Sequence, residues 1–163
     1  MFGPADYTLR PLEAHDETIL WEMLYLALTP ASGAAPPREV MQQPHFSRYV
    51  AGWGREGDRG FLAQEKVGGL VLGAVWLRPS LGEGKSESPA EIPFVVRQGH
   101  RQRGIGASLL TQMMRANPSL LAVSLRVGPD SPAVRLFERF GFDIASKSDQ
   151  AVVMHRAILD PGA

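Results

Sequence analysis

Residues 94–107 combine a run of strand-forming side chains, a basic connection and two glycines that open a segment with helical periodicity. Gly104 and Gly106 have no side chain that would keep a ligand away from the backbone. The first amides of a helix lack partners within it, and the helix dipole puts positive charge at the same end. Arg101 and Arg103 add positive charge nearby. The pattern indicates a phosphate-binding turn, and the alternative is a tight turn that binds nothing.

Two widespread phosphate-binding motifs are excluded. The dinucleotide fingerprint G-x-G-x-x-G would need a third glycine where the chain has Leu109. No G-K-[ST] follows the glycines, so the turn is not a P-loop.

The composition excludes several classes of partner. Lysine plus arginine and aspartate plus glutamate both number 17, which gives no general attraction to nucleic acid or to an anionic membrane. There is no cysteine, and therefore no disulfide framework, thiol nucleophile or thiolate-bound zinc. Residues 1–6 lack the features of a signal peptide, and the apolar run 67–77 is too short to span a bilayer. We expect a cytoplasmic protein without a metal, nucleic-acid or membrane partner.

The predicted elements around the turn follow the order strand, two helices, hairpin, then strand-helix-strand-helix-strand. Strands are predicted at 7–10, 61–64, 70–77, 92–97, 120–127 and 151–159, and helices at 16–28, 46–53, 105–115 and 131–141. Residues 29–37 and 79–89 are expected to be flexible loops. Residues 92–127 read as a β-α-β unit with parallel strands. One domain over residues 1–163, a mixed sheet with helices on both faces, is expected.

Two motifs resemble the hallmarks of the GNAT superfamily of N-acyltransferases. Residues 101–106, RQRGIG, resemble its pyrophosphate signature Q/R-x-x-G-x-G/A, and residues 131–142, SPAVRLFERFGF, are similar to N-x-A-x-x-L-Y-E-x-x-G-F. The resemblance covers nearly the whole chain. It implies a GNAT-like α/β (α+β) fold whose mostly antiparallel sheet has about six to seven strands, with the fourth and fifth splayed apart. It also implies acetyl or acyl transfer from acetyl-CoA to a primary amine by direct attack.

The resemblance also assigns cofactor-binding residues. In this family the strand before the glycine turn binds the pantetheine arm of CoA through its main chain. Pro93 then marks either an edge or bulge, or an ordinary strand start. The residues assigned to acetyl-CoA are Phe94, Val95, Val96, Arg101, Gln102, Arg103, Gly104, Ile105, Gly106, Ala107, Ser131 and Phe137.

Glu91 is the candidate catalytic base. A lysine-like amine has a pKa of about 10.4 and is almost fully protonated at neutral pH, so attack on a thioester is helped by a base. Some family members carry a glutamate on this strand. A partly buried carboxylate there would have a raised pKa suited to proton abstraction, and the alternative is a solvated glutamate at a loop end.

The chain departs from the family pattern at two positions. Phe137 stands where many relatives have a tyrosine that protonates the leaving sulfur, and Ser131 replaces the usual asparagine. His100 and His155 are conceivable donors, or ordinary surface and strand histidines. The departures keep open a second hypothesis, a non-catalytic acyl-CoA sensor. A nucleic-acid-binding domain is disfavoured by the balanced charge.

The acceptor side is predicted by resemblance alone. The first two helices and the loops around the third strand should form it, although most of its aromatic residues are expected to pack in the core. A homodimer is left open. The candidates are Trp21, Tyr25, His45, Tyr49, Trp53, Trp76 and Arg78.

Overall fold

In a computed structural model the chain forms eight strands and four helices within the residues that the structure describes, 6–29, 34–85, 87–100, 104–128, 131, 133–149 and 151–157. The strands are β1 (Tyr7–Pro11), β2 (Arg59–Glu65), β3 (Val71–Leu77), β4 (Ala90–Glu91), β5 (Phe94–Val96), β6 (Ala122–Val127), β7 (Asp143–Lys147) and β8 (Val152–Ala157). The helices are α1 (Glu17–Leu28), α2 (Pro44–Ser47), α3 (Ile105–Ala116) and α4 (Ala133–Arg139). None of the helices within these ranges is long and apolar enough to cross a membrane.

The strands form two four-stranded sheets. The first has the order β1-β2-β3-β5 and is antiparallel throughout, and the second has the order β4-β6-β8-β7 with one parallel pair, β4 and β6. The predicted class, a mixed and mostly antiparallel GNAT-like arrangement, is confirmed. The predicted separation of neighbouring strands is also present, because β5 and β6 lie in different sheets.

The strand predicted at 92–97 is shorter, β5 alone, and a separate strand β4 precedes it, because the chain changes sheets at Ile92 and Pro93. The Ile92 amide donates to the carbonyl of Ser124 on β6 at 3.0 Å, whereas the Pro93 carbonyl accepts from Trp76 on β3 at 3.1 Å. Proline has no N–H to complete the pair with Trp76, so the ladder of β5 ends there. Pro93 is thus both a strand start and an edge position.

Two other elements differ from the prediction. The helix predicted at 46–53 is a single helical turn, α2, followed by turns, because Gly52 and Gly54 adopt positive φ angles of 71° and 105°. Strand β7 was not predicted, since all its residues are exposed and show no buried alternation. Of the predicted loop at 29–37, residues 30–33 lie outside the described part of the chain, and 34–37 have no regular structure.

Hydrophobic cores lie on both faces of the first sheet. One core contains Val75 of β3 together with residues of α3, α4 and the second sheet. The other contains Trp76 of β3 together with residues of α1 and the segment after α2. Since successive side chains of a strand point to opposite faces, β3 is buried on both sides and forms the centre of the molecule.

A buried ion pair attaches the segment after α2 to the end of β3. The side chains of Arg78 and Asp58 are each 2% exposed, and their closest nitrogen and oxygen atoms are 3.1 Å apart. Arg78 also donates to the carbonyls of Arg48 at 3.3 Å and Ala51 at 2.8 Å. A buried guanidinium with these partners keeps residues 48–52 against the sheet.

Replacing Asp58 with alanine should destabilise the protein strongly. Asp58→Ala leaves a buried guanidinium without its anion, and we expect the free energy of unfolding to fall by about 3–5 kcal/mol. Urea denaturation measures the change. As a control, Glu83→Ala removes one partner of an ion pair with Lys85 whose side chains are 64% and 60% exposed, and should change stability little. Equal losses in the two variants would contradict this interpretation.

Candidate functional site

A gap separates β5, at the edge of the first sheet, from β6 in the second. The Pro93 carbonyl accepts from β3, and the Arg97 amide donates to Leu72 at 2.7 Å. Because main-chain groups of a strand alternate in direction, those of Phe94 and Val96 face away from β3, toward the gap. This geometry presents an extended backbone edge to a ligand in the gap.

The glycine turn lies beyond the end of β5, and its two glycines differ. Gly104 has φ of 77° and precedes the first residue of α3, and a Cβ placed on it would meet no atom of the described residues within 4 Å. A Cβ on Gly106 would come within 2.8 Å of Leu136 and 3.0 Å of Phe94. As far as the described residues go, a ligand can therefore approach Gly104, while a side chain at Gly106 would require Leu136 and Phe94 to shift. Three further predicted residues, Arg101, Gln102 and Arg103, lie outside the described part of the chain.

The second motif is explained largely by packing. The Ser131 hydroxyl accepts from the Ala133 amide at 3.1 Å, which is a helix-cap contact at the start of α4. Phe137 is fully buried, with its ring centroid 5.0 Å from that of Phe94 and 5.7 Å from that of Phe142. Its ring thus supports the strand that borders the gap.

Glu91 lies at the point where the gap opens. Its neighbours Ala90 and Ile92 are buried in the core with α3, so its side chain projects from the opposite face. The carboxylate accepts a short hydrogen bond from the Tyr49 hydroxyl and lies 3.4 Å from Nη2 of Arg48. It is 23% exposed, which makes it accessible to a small molecule.

Tyr49 is held as a protonated donor. Burial of the phenol is the largest cause of its raised pKa, and the hydrogen bond to the Glu91 carboxylate and that carboxylate's charge add to it. The charges of Arg48 and Arg126 act in the opposite direction. The Tyr49 O–H therefore remains bonded to Glu91 over the physiological pH range.

Contacts from β3 fix the main chain that carries Arg48 and Tyr49. The indole N–H of Trp76 donates to the Tyr49 carbonyl at 2.9 Å, and Arg78 donates to the Arg48 carbonyl at 3.3 Å. Arg48 also lies over the Tyr49 ring, 4.3 Å from its centroid. The partners of Glu91 are thus positioned by buried groups of the first sheet.

The two candidate histidines and the acceptor-side candidates lie in different parts of the structure. His155 lies on β8 opposite Ser124, and His100 approaches Glu65, with Nδ1 3.9 Å from Oε1. Of the acceptor-side candidates, Tyr49, Trp53, Trp76 and Arg78 are buried, Trp21 and Tyr25 are half-buried, and His45 is exposed.

The sequence analysis missed three residues near Glu91: Arg48, Ser124 and Arg126. For Ser124 and Arg126, the alternation of polar and apolar residues in β6 was an available signal. For Arg48 there was none, because its contact with Glu91 spans 43 positions of sequence.

Apart from the region of Glu91, a ligand could bind at a metal site or in a cavity. No group of three or more His, Cys, Asp or Glu within the described ranges could hold a metal ion. An open cavity of about 350 Å³ is lined by Trp21, Arg38, Glu39, Met41 and Gln42, and Glu91 is not among its lining residues.

Solved structures of similar architecture include several acetyltransferases. PaiA N-acetyltransferase of Thermoplasma acidophilum, crystallised with coenzyme A, is 13% identical, with 93% of this chain and 99% of that one covered and a TM-score of 0.65. A phosphinothricin acetyltransferase of Sinorhizobium meliloti, solved with acetyl-CoA, is 17% identical, with 94% and 89% covered and a TM-score of 0.63. A chimera of spermidine N-acetyltransferase SpeG from Vibrio cholerae and hSSAT is 17% identical, with 94% and 96% covered and a TM-score of 0.58. Among curated proteins, no sequence matches this chain.

The two sheets and the helices around them thus form the same fold as these acetyltransferases. The profile of the acetyltransferase (GNAT) family matches residues 21–142, and the chain belongs to that family. The family predicted from the two motifs is confirmed.

An alkaline titration tests the arrangement around Tyr49. We expect one phenol of the wild type to ionise above the usual range of tyrosine, and Tyr49→Phe to abolish that transition. Glu91→Gln should shift the ionisation of Tyr49 to lower pH, because burial then raises the pKa of the phenol without the added effect of a carboxylate. Tyrosinate absorbance gives the measurement, with circular dichroism to confirm folding and Tyr25→Phe as the control that keeps the late transition. Its persistence in Tyr49→Phe would show that another tyrosine is responsible.

Proposed function

We propose that this protein, as a single domain over residues 1–163, is an N-acetyltransferase that transfers an acetyl group from acetyl-CoA to a primary amine. The observation that carries the proposal is the position of Glu91, at the opening of a gap bordered by β5, the last strand of the first sheet. The family match and the coenzyme complexes of similar structures support the donor. A cytoplasmic location and a homodimer stay predictions.

The described residues fit the donor at two places. The open space at Gly104, beside the first amides of α3, suits a pyrophosphate, and Ile105, Gly106 and Ala107 would offer those amides. The main chain of β5, from Phe94 to Val96, would bind the pantetheine arm in the manner of an added strand. Arg101, Gln102 and Arg103 would add charge and polar groups, as the resemblance implies. Ser131 and Phe137 would then act mainly through the start and packing of α4.

Glu91 would remove the proton that the amine must lose. The donor supplies a thioester, whose acyl carbon forms a bond to the amine nitrogen while its bond to sulfur breaks. The proton passes from the nitrogen to the Glu91 carboxylate, directly or through a water, and then to solvent. Tyr49 and Arg48 would hold the carboxylate in place for this transfer.

The leaving group does not require a dedicated acid. A thiol has a pKa near 8.5, so its thiolate departs far more easily than an alkoxide. Phe137 is buried and has no proton to donate. The released thiolate would take its proton from water, or from His155 on the same face as Glu91.

A second candidate function is an acyl-CoA sensor without catalysis. The observation that favours it is again Phe137, which replaces the family's usual tyrosine by a core residue. Thiol release measured over a broad panel of amines distinguishes the two functions. Tight acetyl-CoA binding with no turnover above hydrolysis would establish the sensor.

The phosphate site can be tested with a matched pair of glycine variants. Gly104 and Gly68 have φ of 77° and 84°, and a Cβ on either meets none of the described residues within 4 Å. Gly104→Val should weaken acetyl-CoA binding by at least about tenfold, because the side chain fills the approach of the phosphates. Gly68→Val carries the same backbone strain in the β2–β3 turn and should bind normally. Calorimetry that gives wild-type affinity for folded Gly104→Val would remove the phosphate from this turn.

The role of Glu91 can be tested by removing its charge. Glu91→Gln should lower kcat by about 10²–10⁴-fold, the usual contribution of a general base, with acetyl-CoA affinity unchanged. Glu83→Gln, at an exposed position, serves as the control. A wild-type rate and pH profile in Glu91→Gln would show that Glu91 is not the base.

A further inference from the structure

The face of the second sheet that carries Glu91 has a row of polar side chains. The register pairs Ser124 of β6 with Glu91 on one side and with His155 on the other. Directly paired residues project from the same face of a sheet. Arg126 lies two residues beyond Ser124 and shares this face, while the residues that alternate with them are buried.

Arg126 differs from the other arginines near the site, because none of the described residues is a hydrogen-bond or ion-pair partner of its side chain. Arg48 is engaged by Glu91, and Arg78 by Asp58. Arg126 is exposed, and within the described part of the chain its guanidinium makes no hydrogen bond or ion pair. It is therefore a cation directed to the face where the acceptor would bind, without a paired anion from the described residues.

Arg126 is also electrostatically coupled to the Glu91 cluster. Burial and Glu91 raise the pKa of the Tyr49 phenol, and Arg48 and Arg126 oppose them through their charges. Together with the register, which puts Arg126 two residues beyond the strand partner of Glu91, this influence places Arg126 near a molecule bound beside Glu91. Arg48 lies beside Glu91 and offsets its charge, so such a molecule would also meet the positive charge of Arg126.

A positively charged acceptor site discriminates among amines. A polycation such as spermidine would meet the Arg126 guanidinium, and the next carboxylate of the row, Asp143, lies beyond His155, two strands away from Ser124. A carboxylate would receive two parallel hydrogen bonds from the planar guanidinium.

We propose that the acceptor carries a carboxylate, that Arg126 binds this group, and that the substrate class is therefore amino acids and their close analogues. The proposal rests on the N-acetyltransferase function above. Positions on one face of a strand repeat about every 7 Å, and neighbouring strands are about 5 Å apart. These separations and the reach of an arginine fit a small molecule that presents its amine to Glu91 and its carboxylate to Arg126.

Arg126 could instead bind a phosphate group of the acetyl-CoA donor. The geometry favours the acceptor, because α3 packs in the core on the opposite face of the sheet, where Ile105 and Leu109 are buried. The start of that helix is where the donor phosphates are expected. The two assignments differ in which affinity Arg126 controls.

Thiol release from acetyl-CoA tests the substrate class with the common L-amino acids, their amides and spermidine. We expect at least one free amino acid to exceed its amide in kcat/KM by about tenfold to a hundredfold, the range that charge-assisted hydrogen bonds provide. Arg126→Gln should lower kcat/KM for the amino acid far more than for its amide, and so remove that advantage, with the acetyl-CoA affinity unchanged. Arg156→Gln is the matched control, since Arg156 pairs with buried Val123 and projects from the other face of the same sheet.

Three outcomes would overturn the proposal while the acetyltransferase function stands: equal use of amino acids and amides, an unchanged ratio in Arg126→Gln, or a loss of acetyl-CoA affinity in place of a changed ratio. If no amine is acetylated, the proposed function fails. Calorimetry of the same amino acids with the coenzyme A complex then decides the carboxylate site independently. Weaker binding to Arg126→Gln than to Arg156→Gln would support the site, and equal binding would overturn it.

Discussion

At Ile92 and Pro93 the chain leaves the hydrogen-bond ladder of one sheet and enters that of the other. The Ile92 amide donates to β6, and the next residue's carbonyl accepts from β3. Proline has no N–H, so the chain cannot extend the second ladder backward through this residue. The sheets separate from this point, which creates the gap, leaves β5 as the last strand of its sheet and places Glu91 at the opening.

The surroundings of Glu91 depend on a different part of the molecule. Its partners Tyr49 and Arg48 lie in a segment with little regular structure, which Trp76 and Arg78 hold through its carbonyl groups. A fully buried arginine is tolerated because the Asp58 carboxylate and several carbonyls satisfy it. Buried polar groups at the centre of the first sheet thus decide the geometry of a carboxylate at the edge of the second.

The two family motifs contain residues with different physical roles. Gly104 opens onto free space, whereas Gly106 is enclosed by Leu136 and Phe94. Phe137 is a core residue that packs on the strand beside the gap. A motif read as a ligand signature therefore also records the packing of α3 and α4 on β5, and substitutions within it need not have the same consequence.

Local patterns in the sequence were sufficient for the β2–β3 hairpin, helices α1, α3 and α4, the glycine turn and the family, because periodicity, caps and turn residues act over a few neighbouring positions. They also indicated Glu91. The break at Pro93, the edge strand β7, the contacts of Glu91 and the position of Arg126 required the folded chain. Each depends on which strands pair and in which register, and the bond between Tyr49 and Glu91 joins residues 42 positions apart. Such long-range contacts have no local signature, since they form only when the two sheets assemble.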